Sequence, residues 1–412
     1  MKGWKEKRLD EICFIKGGKR LPKGHELIDE KTSHPYLRAR DIGFGKINFD
    51  NPSYINDDTF EFVKRYIVNE GDVVITIVGA NIGDVAYITK EFDKANLTEN
   101  AVKLIAKKDL LDARFLKYIL LPNSMKEYFQ IIASGAAQGK LGLYKIKDVK
   151  ILLPPLLTQL KIATVLSSYD DLIDNNLNRI SLLEELAQRT YEEWFYKFNI
   201  NGKQLKIKKE TGLPDGWQRN PFEKIIDFKE GPGLRNTQYR EEGIPFLNIR
   251  VIKDDEVDFT KVQYLDPNEV NSKYSHFLLQ ENDHVISTSG TLGRVVTIRK
   301  RHLPLCLNTS LIRMRPIDKS YGKWLIKHTI TNPKFKELME SYANGSAQIN
   351  FGPIHLKQIK LVTPTNEIAI AYEKFASPIE ELIKNLKDQN LFLKESRDIL
   401  LPKLMSGVIE VG

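Results

Sequence analysis

The chain has 412 residues, 42% of them hydrophobic and 28% charged, which excludes a disordered polymer and allows two domains with connectors. Lys and Arg outnumber Asp and Glu by 62 to 54, and the formal charge of +8 favours an anionic partner such as nucleic acid. The two cysteines, Cys13 and Cys306, are too far apart in sequence for a disulfide framework or a cysteine zinc site, and both read as core thiols.

The first residues, Met1 to Arg8, are charged and lead into no apolar stretch of signal-peptide length. No apolar run approaches the ~20 residues of a membrane span, so the expectation is a cytoplasmic protein without membrane contact. The strongest run, Val73-Val74-Ile75-Thr76-Ile77-Val78, has the length and β-branching of a buried strand, and a Gly-rich turn follows at Gly79–Gly83. A helical patch follows near Ala113–Gln130. Then comes a short strand ending at Pro154-Pro155 and a long helix. In that helix Ile162, Leu166, Tyr169, Ile173, Asn176, Ile180, Leu183 and Ala187 alternate spacings of four and three. This is a coiled-coil seam, and it requires a partner helix. A polar, Gly- and Pro-punctuated stretch, 201–216, closes the half.

The second half repeats the first. Gly3-Trp4 returns as Gly216-Trp217, 213 positions on. Pro35-Tyr36-Leu37-Arg38 returns as Pro245-Phe246-Leu247-Asn248 at an offset of 210, and Glu70–Ile75 as Glu281–Ile286 at 211. Gly135-Ala136-Ala137-Gln138 returns as Gly345-Ser346-Ala347-Gln348 at 210, and that register continues to Pro154 and Pro364. One offset held across separate anchors marks a two-copy duplication. The second closing helix carries its own seam, read as Tyr372, Phe375, Ile379, Leu382, Leu386, Gln389, Leu393, Ser396 and Leu400. Asn176 and Gln389 are polar residues within apolar seams, a device that fixes register. The two helices are expected to pair with each other, antiparallel, because a pseudo-twofold axis across them reverses their sense.

These pieces resemble the DNA-specificity subunits of Type I restriction-modification enzymes. The resemblance rests on Leu213-Pro214-Asp215-Gly216-Trp217, Gly71–Val74, Pro154-Pro155-Leu156-Leu157-Thr158-Gln159, the helix Ile162–Ile173 and the segment Glu184–Phe195, in that family's order. The second helix departs from the pattern, opening with Pro364-Thr365-Asn366-Glu367 and lacking the proline pair and the Gln. The resemblance implies a non-catalytic reader of a two-part double-stranded DNA site. It implies an α+β fold: target-recognition domains at 1–155 and 213–364, coiled-coil helices at 156–199 and 365–412, and a linker at 200–212. It further implies docking of two methyltransferase subunits and, through the complex, restriction subunits. S-adenosylmethionine, ATP and magnesium would belong to those partners, and this chain would hold no cofactor.

A single-chain DNA methyltransferase or nuclease is the alternative. Asn51-Pro52-Ser53-Tyr54 approximates a base-flipping loop and Asp41–Gly45 a cofactor loop, yet they nearly touch in sequence and leave no room for a nucleotide-binding unit between them. Gly135–Leu141 is too short for a phosphate loop and has Leu141 where a hydroxyl would hold magnesium. Base edges are read best by Arg or Lys on guanine and by Asn or Gln on adenine. The candidate DNA contacts are therefore polar residues at matching positions of the two copies. They are Lys19, Arg20, Arg38, Arg40, Asn81, Gln138 and Lys140, and Arg235, Asn248, Arg250, Thr291, Gln348 and Asn350. Apolar side chains beyond the seam, Leu172, Leu182, Trp194 and Phe195, are the candidates for docking a partner.

Overall fold

The computed structural model describes residues 3–134, 139–318, 321–343 and 351–411. The chain divides into two compact units, Met1–Asn176 with Gln389–Gly412, and Leu177–Asp388.

In the first unit β1 (Lys5–Arg8) leads through one helical turn into β2 (Cys13–Gly17). The sheet is completed by β3 (Val73–Thr76), β4 (Val85–Tyr87) and β5 (Ala101–Ala106), in the antiparallel order β2-β5-β3-β4. β3 is the β-branched run read from the sequence, and all four of its residues are buried. Helix α1 (Ala113–Leu120) packs Phe115, Leu116, Tyr118 and Leu120 into the core, and α2 (Asn123–Ala133) adds Phe129. The Asp112 carboxylate caps α1 by accepting from the Arg114 and Phe115 amides. β6 (Lys150–Leu153) pairs antiparallel with β1, tying the chain's start to the strand that enters helix α3 (Leu156–Phe195). Gln159 explains part of that entry: buried, it accepts from the Asp112 amide and donates to the carbonyls of Leu110 and Pro154.

The second unit repeats this plan. β7 (Gln218–Pro221) pairs with β12 (Lys360–Thr363), and β8 (Ile226–Glu230), β9 (His284–Ser287), β10 (Val295–Thr297) and β11 (Leu311–Pro316) form a sheet in the order β8-β11-β9-β10. Each strand lies 210 to 213 positions after its counterpart, so the duplication extends to strand order. Helices α4 (Lys323–Thr331) and α5 (Pro333–Ala343) correspond to α1 and α2. Where the first copy uses Gln159 and Asp112, the second has Ala369 and Gly322, and Glu373 of helix α6 (Asn366–Met405) accepts from the Leu325 amide instead. The missing motif residue is thus replaced one turn along the helix. Segment 200–212, expected as a linker, folds onto this unit: Asn199–Ile200 and Lys203–Gln204 form a hairpin, and Ile200 and Leu205 pack against the core.

Within each unit the long helices pair antiparallel. In the first, Asp170 meets Arg397 and Asn176 Nδ2 donates to Asn390 Oδ1 at 3.0 Å. In the second, Glu184 lies near Lys387, and Trp194 packs on Tyr372 and Phe375. The α3 seam is as read. The α6 seam is corrected by one residue at several places: Ile383 and Asn390 are buried and Arg397 partly so where Leu382, Gln389 and Ser396 are exposed, and Ala376 is buried beside half-buried Phe375. Ala376, Ile383, Leu386 and Asn390 are the 210-offset counterparts of Leu166, Ile173, Asn176 and Ile180, so both helices present one seam pattern.

Candidate nucleic-acid interface

Strand register brings distant loops to one end of each sheet. In the first unit Gly17 pairs with Val102, and Thr76 with Ala101, so segments 18–20, 77–84 and 97–100 leave the same end. Tyr36–Leu37 runs parallel to Asn96–Leu97, which delivers segment 38–41 to that end, and Lys140 bridges Val78. In the second unit Glu230 pairs with Ile312 and Ser287 with Leu311, which gathers segments 231–235, 288–293 and 307–310. Phe246–Leu247 runs parallel to Cys306–Leu307 and brings up 248–250.

Glycine permits this convergence. A Cβ on Gly18 would lie 2.0 Å from the Thr98 carbonyl oxygen, and one on Gly231, its counterpart, 2.2 Å from the Asn308 carbonyl oxygen. No side chain survives such an approach to backbone.

The described candidates therefore sit together, but not all are free. Lys19, Arg40, Asn81 and Lys140 are exposed in the first unit, as are Arg235, Arg250 and Thr291 in the second. Arg20 has 81% of its side chain exposed, and its Nε donates to Glu99 at 2.8 Å. Arg38 is a correction. Its Nε and Nη2 grip both oxygens of buried Asp41, its Nη1 donates to Ser53 Oγ at 2.6 Å, and its Nη2 also reaches the Asn51 carbonyl. With four of its five N–H donors engaged, it braces its own turn, which argues against a base-reading role. Its counterpart Asn248 caps the turn after it by accepting from the Arg250 amide. Gln138, Gln348 and Asn350 lie outside the described residues, as do the matched segments 135–138 and 345–348.

Two residues at these ends were not anticipated. Arg294 Nη1 donates to the carbonyls of Ile249 and Ile252, bracing the turn that carries Arg250. Glu99 stands beside Arg20. Comparing Leu97-Thr98-Glu99-Asn100 with Leu307-Asn308-Thr309-Ser310 exposes the acidic substitution.

The loop Asn51–Tyr54 is structural. Ser53 and Tyr54 are buried, the Ser53 carbonyl accepts from the Tyr36 amide, and Tyr54 bridges Ile28 and Pro35. Among the described residues no three His, Cys, Asp or Glu side chains are placed to share a metal ion. No helix among them is long and apolar enough to cross a membrane.

A family model described as the Type I restriction modification DNA specificity domain matches residues 1–185. Curated Type I specificity subunits align with nearly the whole chain. The MjaVIII subunit of Methanocaldococcus jannaschii is 24% identical, over 99% of this chain and 93% of its own length. The chain is similar to Type I specificity subunits over nearly its whole length, and its first 185 residues match their family model. The MjaIX subunit of the same organism is also 24% identical, covering 100% of this chain and 94% of its own. The HindI subunit of Haemophilus influenzae is 20% identical, covering 83% and 87%. The fold agrees with the crystal structure of a Type I S subunit from M. genitalium, at a TM-score of 0.57 and 18% identity, over 98% of this chain and 96% of that one. The curated relatives are named specificity subunits, which favours a recognition component over the single-chain methyltransferase or nuclease.

Each unit packs its sheet domain on a long helix through a duplicated buried ion pair. Lys117 donates to Asp170 at 2.7 Å, joined by Tyr118 and Arg397, and the counterpart Lys327 donates to Glu380 at 2.6 Å, joined by His328. Burial pushes the Asp170 and Glu380 carboxyls up, but Lys117 and Lys327 outweigh it, leaving Asp170 below its usual range and Glu380 at about 2. The docking candidates divide. Leu172 and Leu182 are exposed, whereas Trp194 and Phe195, each only 5% exposed, are core residues of the second unit, packed against Tyr372 and Trp217. These two aromatics are withdrawn as partner contacts because their surface is already covered.

Proposed function

We propose that this subunit reads a split double-stranded DNA site, with a recognition module at about 1–155 serving one half and another at about 213–364 the other. The observation that carries the reading is the repeated loop-bearing sheet end, with the same strand order and different exposed side chains. Asn81 corresponds in sequence to Thr291, and Arg20 to Gly233. A shared frame with altered side chains suits two modules that meet equivalent DNA geometry but different bases.

The helices 156–199 and 365–412 dock two methyltransferase subunits in this reading, and restriction subunits join through that complex. Support comes from exposed apolar residues kept at equivalent positions: Leu160 and Ile370, Leu172 and Leu382, Leu182 and Phe392. The first unit carries Leu160, Leu172 and Phe392, and the second carries Ile370, Leu382 and Leu182. Each unit thus presents the same set, as a partner bound twice requires. Those partners bring S-adenosylmethionine, ATP and magnesium, and the assembly works where the cell keeps its DNA, in the cytoplasm.

The test is selection from random duplexes by the full chain in complex with its methyltransferase subunit. Two short conserved blocks separated by an unread gap are expected. One contiguous block, or no preference, overturns the reading.

A further inference from the structure

The pair Arg20–Glu99 is unusual for a basic DNA-facing surface. A carboxylate near DNA repels phosphates, so it needs a compensating role there. Glu99 has one. Its Oε1 accepts from Arg20 Nε at 2.8 Å and its Oε2 accepts from Thr98 Oγ1 at 3.1 Å, which fixes the carboxylate. Burial pushes its pKa up, but the hydrogen bonds from Arg20, the backbone and Thr98 leave it below the usual range and ionised.

The backbone beneath the pair is equally constrained. The Lys19 amide donates to the Leu97 carbonyl at 3.0 Å, the Gly18 amide to the Ala101 carbonyl at 3.1 Å, and Gly18 leaves no space against Thr98. Arg20 therefore projects from a fixed base with its Nε engaged. Its Nη1 and Nη2 groups donate to nothing among the described residues. A guanidinium held through Nε presents its two remaining nitrogens as a fixed fork, the geometry that matches O6 and N7 of guanine.

We propose that Arg20, held in plane by Glu99, reads the guanine of a G·C pair in the half-site of the first unit. The proposal rests on the split-site reading above. The second unit carries Pro232, Gly233 and Thr309 at the positions of Lys19, Arg20 and Glu99, so this reader belongs to one half-site alone. Glu99 is a positioning residue that acts through Arg20.

The test is selection from random duplexes by the full chain in its methyltransferase complex, comparing wild type with Arg20→Ala, Arg20→Lys, Glu99→Ala and Glu99→Gln. Arg20→Ala should remove preference for one guanine by about 5- to 150-fold, the range for a bidentate arginine contact. Arg20→Lys keeps the charge and loses the fork, so it should lose the same preference. Glu99→Ala should relax that position while binding unrelated DNA more tightly, because a repelling charge has gone, and Glu99→Gln should retain more of the preference than Glu99→Ala. The other half-site, read by the unaltered unit, should persist in every variant and reports folding. Uniform weakening across all sequences in Arg20→Ala would make it a phosphate contact and overturn the proposal. So would a wild-type guanine preference in Glu99→Ala. A wild-type selection with no split site instead refutes the underlying reading.

Discussion

Replacing Asp170 with Ala removes the acceptor at the centre of the first unit's buried ion network. Lys117 Nζ lies 2.7 Å from one Asp170 oxygen, the Tyr118 hydroxyl 2.6 Å from the same oxygen, and Arg397 Nη1 2.7 Å from the other. Lys117 is buried and loses its carboxylate partner, while Arg397, partly exposed, keeps only Asp398. Breaking a buried pair by removing one partner costs ~3–5 kcal/mol, because a charge is left uncompensated. For a unit of about 200 residues, 1 kcal/mol moves the melting temperature by ~2–4 °C, so the first unit's transition should fall by at least ~6 °C. Calorimetry and urea unfolding of the full chain measure this, with the second unit's transition as the internal reference. The double variant Lys117→Met/Asp170→Leu should recover part of the loss, since apolar replacement of a buried pair is often neutral. A loss below ~1 kcal/mol for Asp170→Ala, or an equal loss in both units, would refute the idea that this network seats the module on its helix.

Acid should weaken the second unit. Burial holds the His284 imidazole down at about 3, so its stabilisation is complete above its ordinary value near 6.5 and is lost as the pH falls toward 3. By about pH 5 that is ~2 kcal/mol, readable as a lower urea midpoint, and His284→Gln should flatten the slope. Glu380, lowered to about 2, adds a further loss between about 4.5 and 2. Gly18→Ala should cost ~1–3 kcal/mol and abolish reading of the first half-site, because its Cβ meets the Thr98 carbonyl. Gly17→Ala, with nothing within 4 Å, should be nearly silent in the same DNA selection. Leu172→Asp should leave one methyltransferase subunit per chain by native mass spectrometry, and Leu172→Asp/Leu382→Asp none. Full occupancy in the double variant would remove these positions from the docking surface.

The duplication was legible because strand patterns and glycine turns recur at one offset, and the sheet order repeats with them. The α3 seam was legible from its unbroken four-three alternation, although Val165, Leu172, Leu177, Leu182 and Leu186 stand beside its members. On α6, Leu382 adjoins Ile383 and Gln389 adjoins Asn390. Periodicity cannot choose between adjacent residues of like character, and only the facing helix decides. Arg38 read as a free cation because its acceptors, Asp41, Ser53 and the Asn51 carbonyl, form a pocket that only folding assembles. Trp194 and Phe195 read as surplus because Tyr372 and Phe375, which cover them, lie more than 170 positions later. The buried pairs Lys117–Asp170 and Lys327–Glu380 were invisible for a related reason. Charged residues pass for surface until the chain brings their partners to them.

The central claim, that each module reads its own half of a split site, is tested most directly by exchanging residues 1–155 for the corresponding module of a Type I specificity subunit. The chimera is expressed with its methyltransferase partner, and methylated bases are mapped across the host genome. One half-site should change to the donor's sequence while the other stays as in the parent. Both halves changing together, or neither changing, would contradict the account.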